Sequence, residues 1–131
     1  MPLNVRVTSD GVVLVTVKGV VTLDELKEQL FPILETEGAC GPDSPIVVDA
    51  RESDGNPSLQ EIRRRAAFYV SLKGRLAPKL AVVVEKPHHV GLVDMMSTYA
   101  ERSGYLIYSC KDLEDAFAWA RAGREGHGTV H

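Results

Sequence analysis

The chain alternates between short runs of apolar residues and longer stretches in which apolar residues recur every three or four positions. Runs such as IVVDAR (46–51) and KLAVVVE (79–85) are typical of parallel strands that are covered on both faces. Stretches such as LQEIRRRAAFYV (59–70) carry their apolar residues at helical spacing. The pattern predicts the order β-β-α-β-α-β-α-β-α. The predicted strands are 3–8, 12–19, 46–51, 79–85 and 105–110.

Local signals predict where the helices begin and end. The spacing Thr22–Glu25, and again Ser58–Glu61, fits a capping box, in which side chains satisfy the free amides at a helix start. Gly104 is placed to end the third helix in a left-handed conformation, and Gly123 to close the fourth. Pro32 lies inside the first helix, which we expect it to bend or to end.

Strands that alternate with helices predict an α/β fold. We expect a mainly parallel sheet of about five strands, an N-terminal β-hairpin at one edge, and four helices. The 131 residues suit one domain, predicted over 1–123. The polar, glycine-rich tail, 124–131, is predicted to be disordered.

Composition excludes several functional classes. A net charge of −3 argues against nucleic-acid binding, which needs a concentrated positive field. The apolar runs are far shorter than the roughly 20 residues of a transmembrane helix, so we expect no transmembrane segment. No secretory signal is visible at the N-terminus, and the expected location is cytoplasmic.

Four segments, in this order and spacing, resemble a known family. They are GVVTLDEL (19–26) at a strand-to-helix junction, IVVDAR (46–51), GLVDMM (91–96) and DLEDAFAWA (112–120). The chain resembles the STAS-like domains, which have the anti-sigma-factor antagonist fold. More narrowly it is similar to the SpoIIAA-like bacterial family, which also resembles the lipid-carrying CRAL-TRIO domains.

The resemblance implies a non-enzymatic regulatory or protein-interaction domain. Such a domain would contact an unidentified protein partner, could form a homodimer, and could respond to a small or lipid-like ligand. Partner-switching STAS domains carry a phosphorylated serine in an Asp-Ser-x-Gly motif, and here the region reads DARESDGNPSLQEI (49–62) without that motif. Ser58 is the candidate regulatory residue, although a helix N-cap explains it better.

Polar residues follow two strands that are predicted to be neighbours. Ligands of open parallel sheets bind beyond the carboxyl ends of the strands, so these residues form a candidate ligand pocket. The set is Asp49, Arg51, Glu85, His88 and His89.

The same set supports an alternative function, that of a small enzyme or metal-binding protein. A carboxylate beside imidazoles could hold zinc or transfer protons. However, adjacent residues such as His88 and His89, near the start of a helix predicted from about 89 to 102, point about 100° apart. That geometry is poor for one metal ion, and we assign no metal ligand and no catalytic residue.

The run Arg63-Arg64-Arg65 is the sharpest concentration of charge in the chain. It could meet an acidic partner or an anionic surface. It could equally be a solvated helix face, because three consecutive residues spread around most of a helical turn.

Two further patterns concern bound molecules. The chain has neither a Walker phosphate loop nor a dinucleotide-binding glycine motif, so no cofactor is predicted. Met95, Met96, Tyr99 and Trp119 are most simply core residues. They could instead line an apolar ligand cavity.

Overall fold

The computed structural model describes the backbone of residues 2–126 and the side chains of residues 2–122. It contains five strands and four helices in the predicted order. The strands are β1 (Leu3–Val7), β2 (Val13–Gly19), β3 (Ile46–Ser53), β4 (Lys79–Val83) and β5 (Leu106–Cys110). The helices are α1 (Leu23–Glu35), α2 (Leu59–Ser71), α3 (Pro87–Glu101) and α4 (Leu113–Gly126).

The five strands form one sheet in the order β1-β2-β3-β4-β5. β1 is antiparallel to β2, and the remaining pairs are parallel. Each crossover from β2 onward adds its strand on the same side of the previous one. Because such crossovers are right-handed, α1, α2 and α3 all lie on one face of the sheet. The predicted fold class is confirmed.

Two hydrophobic cores lie on opposite faces of the sheet. The larger core joins α1, α2 and α3 to strand residues such as Val15, Val48 and Val82. The smaller core lies under α4, where Ala116 and Ala120 are fully buried against β3 and β4. The strands are therefore covered on both faces, as their nearly continuous apolar sequences indicate.

The predicted helix caps are present. Thr22 and Glu25 form a reciprocal capping box at the start of α1. The hydroxyl of Ser58 accepts a hydrogen bond from the backbone N–H of Glu61, so this side chain is the N-cap of α2. The reciprocal half of the predicted capping box is not formed, because the carboxylate of Glu61 pairs with Arg64 and Arg65 instead. Gly104 follows α3 with a φ of +75°, a conformation that a residue with a side chain rarely adopts.

Three helix bounds differ from the sequence prediction. α1 continues through Pro32 to Glu35, so this proline lies in the last turn of a single helix. α3 begins at Pro87, before the predicted start, because proline is well suited to the first helical position. α4 continues beyond Gly123 to Gly126. The rest of the predicted disordered tail, 127–131, lies outside the described residues.

The small side chains of α4 allow it to approach the sheet closely. We expect Ala116→Leu to lower the free energy of unfolding by about 1–3 kcal/mol, because the larger side chain has no space in a packed core. Urea denaturation measures this change. Ala118→Leu makes the same substitution at an exposed position of α4 and should change stability by less than about 0.5 kcal/mol. Equal effects of the two changes would contradict this account of the α4 packing.

Candidate functional site

A cavity of about 520 Å³ lies between the sheet and the helices α1, α2 and α3. It exists because α1 and α2 diverge. Their C-terminal halves meet where the rings of Phe31 and Phe68 pack edge to face, with centroids 6.0 Å apart. α1 packs against β1, whereas α2 packs against α3. The space between them lies above the carboxyl half of the sheet.

The sheet supplies an apolar floor to this cavity. Side chains alternate between the two faces of a strand, so every second residue of β2, β3 and the β4 segment faces the cavity. Val17, Ala50 and Val84 are examples near the carboxyl ends of these strands. Met96 of α3 forms part of a side wall, as expected if it lines an apolar ligand cavity. Met95 and Tyr99 do not line the cavity.

The mouth of the cavity lies between the starts of α1 and α2. Val20, directly before α1, lines the cavity and is 68% exposed. Thr22 and Asp24 are also exposed lining residues. One hydrogen bond spans the mouth, from the guanidinium Nη2 of Arg65 to the backbone carbonyl of Val21, at 3.0 Å.

One face of α2 brings polar groups into this apolar space. Glu61, Arg65 and Tyr69 recur every four residues, so they lie along one side of the helix, and all three line the cavity. Glu61 accepts a hydrogen bond from Arg65 Nε at 3.2 Å and another from Arg64 Nη1 at 3.3 Å. A single carboxylate therefore pairs with two guanidinium groups.

Tyr69 is the most buried polar side chain of this series. It is 7% exposed, and its hydroxyl forms no hydrogen bond with any other residue that the structure describes. Burial raises the pKa of Tyr69 to about 12, and the nearby positive charge of Arg65 opposes that rise. The hydroxyl therefore keeps its proton at neutral pH and can act as a hydrogen-bond donor.

The loop between β3 and α2 closes one side of the cavity and is held by the start of α3. His89 is buried, and its Nε2 lies 2.7 Å from the backbone carbonyl of Gly55. Because a carbonyl oxygen only accepts, Nε2 carries the proton and donates. Lys86 donates to the carbonyl of Ser53 at 2.7 Å and to the carboxylate of Asp54 at 3.0 Å.

The structure does not bring the five predicted pocket residues together. His89 lines the cavity, but Asp49 lies in register with Thr16 and Val83, on the face that α4 covers. Arg51 forms a two-pronged ion pair with Asp49, with N–O distances of 2.9 and 2.8 Å. The sheet itself therefore separates the carboxylate from the imidazole.

The remaining two predicted pocket residues are exposed. Glu85 lies near enough to Arg51 to raise the pKa of its guanidinium, after the larger contribution of Asp49. His88 is exposed beside His89, and the two ring centroids are 4.2 Å apart. Within residues 2–126, no group of three or more His, Cys, Asp or Glu side chains is arranged to hold a metal ion.

The three consecutive arginines have different surroundings. Arg63 turns towards α3, where its Nε donates to the hydroxyl of Tyr99 at 2.9 Å. Arg64 and Arg65 line the cavity instead. The run is thus divided between a contact with a neighbouring helix and the cavity mouth.

The sequence analysis predicted a helix over the stretch that contains Tyr69 and Glu61 but assigned neither residue to a ligand site. The available signal was the four-residue spacing of Glu61, Arg65 and Tyr69 on a helix that is otherwise apolar on that side. Charged residues in line with an inward tyrosine indicate that the inward face is not fully packed.

A similar fold is found in a protein of known structure. It is an uncharacterised protein of the DUF3478 family, with a SpoIIAA-like fold, from Shewanella loihica PV-4. The TM-score is 0.60, the alignment covers 90% of this chain and 91% of that chain, and 18% of the aligned residues are identical. No protein-family model matches this chain, and no curated protein matches it.

The chain therefore has a SpoIIAA-like fold, as its sequence predicted. At this identity the likeness shows the fold alone. The relation to CRAL-TRIO domains stays a prediction. No helix in the described part of the chain combines the length and apolar character needed to cross a membrane.

The ion pair on the α4 face predicts a pH dependence of stability. Hydrogen bonds from Arg51 lower the pKa of Asp49 below its ordinary value of 3.8, so the charged carboxylate stabilises the fold at neutral pH. We expect Asp49→Asn to lower the free energy of unfolding by about 1 kcal/mol at pH 7. The deficit should shrink as the pH falls through the lowered pKa, because protonated Asp49 is then also uncharged.

Chemical denaturation between pH 7 and pH 2.5 measures both quantities. Glu28→Gln is the matched control, because it neutralises an exposed carboxylate of α1. It should change stability by less than about 0.5 kcal/mol over this range. A deficit of Asp49→Asn that is the same at both ends of the range would refute the role of the ion pair.

Proposed function

We propose that this chain is a non-enzymatic STAS-like regulatory domain that binds a small apolar or lipid-like ligand in the cavity between its sheet and α1, α2 and α3. The observation that carries the proposal is the cavity itself. Its volume of about 520 Å³ lies within the range of about 300–1,000 Å³ that is typical of small-molecule sites.

The chemistry of the walls supports an apolar ligand. Valine, leucine, isoleucine and methionine side chains form the floor and sides, and a few polar groups are placed at the mouth and along α2. Protein interiors normally pack closely, and an apolar void of this size costs stability. A ligand that fills the void restores those contacts and stabilises the folded chain.

The position of the cavity supports a regulatory role. Its mouth is formed by the first turns of α1 and α2 and by the loop that His89 and Lys86 hold. A ligand there contacts surface segments directly, so occupancy can alter the surface that a protein partner meets. A protein partner, a homodimeric form and a cytoplasmic location are parts of this proposal.

The alternative of a small enzyme or metal-binding protein has less support. It depended on Asp49, Arg51, His88 and His89 acting together. Asp49 and Arg51 neutralise each other on one face of the sheet, and His89 is engaged with a backbone carbonyl on the other. These residues therefore do not form a common reaction site.

The proposal predicts that an apolar fluorescent probe binds in the cavity. We expect 1-aminoanthracene to bind at micromolar concentration with increased emission, because the cavity walls exclude water from the probe. Ala50→Leu should weaken that binding at least tenfold, since the added side chain fills part of the cavity. Fluorescence titration gives both affinities.

Ala118→Leu is the matched control, because it adds the same atoms to the exposed face of α4 on the other side of the sheet. Its probe affinity should equal that of the unchanged protein within about twofold. The absence of probe binding, or equal binding by the Ala50→Leu and Ala118→Leu variants, would reject the cavity as a ligand site.

A further inference from the structure

We propose that the ligand of this cavity is an amphipathic carboxylate, whose carboxylate group is bound by Tyr69 and Arg65 and whose apolar chain lies on the floor of the sheet. The inference rests on the proposed function and names the chemical class of the ligand. Three observations support it: a hydroxyl at the cavity with no partner among the described residues, two guanidinium groups that share one carboxylate, and the polarity of the mouth.

The hydroxyl at the cavity belongs to Tyr69. Polar groups inside folded proteins nearly always have a hydrogen-bond partner, which can be another residue, water or a ligand. Tyr69 is 7% exposed and lines the cavity, and its hydroxyl has no hydrogen-bond partner within the described part of the chain. Unlike the hydroxyl of Tyr105, which is fully enclosed and also without a partner there, the hydroxyl of Tyr69 is open to the cavity. Because its proton is retained at neutral pH, the hydroxyl can donate to an acceptor such as a carboxylate.

The guanidinium of Arg65 lies one helical turn before Tyr69, close enough to affect its pKa. Arg64 and Arg65 share the single carboxylate of Glu61, which leaves one positive charge in this cluster. If Arg65 turns to a ligand, Arg64 still neutralises Glu61. An incoming carboxylate therefore finds a cation without leaving a buried charge unpaired.

The other polar groups of the mouth agree with an anionic head. Asp24 is the remaining carboxylate there, but it is exposed and lies in the first turn of α1, where the helix N-terminus offsets its charge. The N-termini of α1 and α2 both lie at the mouth and favour negative charge. His89 is occupied by the carbonyl of Gly55 and does not add a competing charge partner.

An ionised acceptor suits this arrangement better than a neutral one. Hydrogen bonds that involve charged groups are roughly twice as strong as those between neutral groups. A purely apolar ligand would leave the hydroxyl of Tyr69 unpaired, and a cationic head would meet Arg65 as a like charge. The order of affinity expected for one chain length is carboxylate, then alcohol, then ammonium.

Displacement of 1-aminoanthracene tests this order with decanoate, 1-decanol and decyltrimethylammonium at pH 7.5. Tyr69→Phe removes only the hydroxyl, which has no bond to lose, so the variant should fold normally. Arg65→Gln removes the guanidinium. We expect each change to weaken decanoate binding about tenfold and to alter ammonium binding by less than about twofold.

Arg63→Gln is the matched control, because it removes a neighbouring guanidinium that contacts Tyr99 rather than the cavity. It should leave decanoate binding unchanged within about twofold. Thermal unfolding checks that Arg65→Gln, which also loses its bond to Val21, remains folded. If Arg65→Gln is unfolded, Tyr69→Phe alone tests the inference.

The outcomes separate this inference from the proposed function. Equal displacement by all three amphiphiles, or decanoate binding that Tyr69→Phe leaves unchanged, overturns the carboxylate inference while the cavity remains an apolar ligand site. Tighter binding of decyltrimethylammonium than of decanoate also overturns the carboxylate inference. If the probe itself does not bind, and decanoate produces no heat in a calorimetric titration, both the inference and the proposed function fail.

Discussion

Right-handed crossovers join the parallel strands of this sheet, and each one from β2 to β5 adds a strand on the same side. The handedness decides which face a connecting helix covers, so α1, α2 and α3 have no alternative to sharing one face. The opposite face would then be exposed, and only α4, which follows the last strand, is free to cover it. The buried alanines of α4 allow this single helix to approach β3 and β4 closely and so to cover them.

Three helices on one face do not have to pack evenly. α1 packs against the antiparallel strand β1, whereas α2 packs against α3. The two groups touch through Phe31 and Phe68 and diverge towards their N-termini. The cavity is the space that this divergence leaves above the carboxyl ends of the strands, the region where open α/β sheets bind ligands. The hydrogen bonds made by His89 and Lys86 keep one wall of the space in place.

The two faces of the same strand ends have different chemistry. On the α4 face, Asp49 and Arg51 satisfy each other and leave little capacity for a ligand. On the face covered by α1, α2 and α3, the Tyr69 hydroxyl has no hydrogen-bond partner among the described residues, and Arg65 shares the carboxylate of Glu61 with Arg64. The solved structure from Shewanella loihica PV-4 shares the fold at 18% identity, and that likeness concerns the fold alone. Function in such a fold depends on the particular side chains, and here they favour the cavity.

The sequence by itself determined the element order, the fold class and the helix caps. These depend on local signals, namely the spacing of apolar residues and capping pairs such as Thr22 with Glu25, which act within a few residues. It also placed His89 at the strand ends. It could not assign Asp49 to a face, because one residue of register moves a strand side chain to the other side of the sheet.

Only the tertiary structure decided that a cavity exists and which groups enter it. The divergence of α1 from α2 depends on contacts between residues far apart in the chain, such as Phe31 with Phe68 and Arg65 with Val21. Long-range packing also gives Arg63 different surroundings from Arg64 and Arg65. Arg63 contacts Tyr99 of α3, whereas Arg64 and Arg65 line the cavity. Local pattern indicates what each segment becomes, and long-range packing determines the spaces between segments.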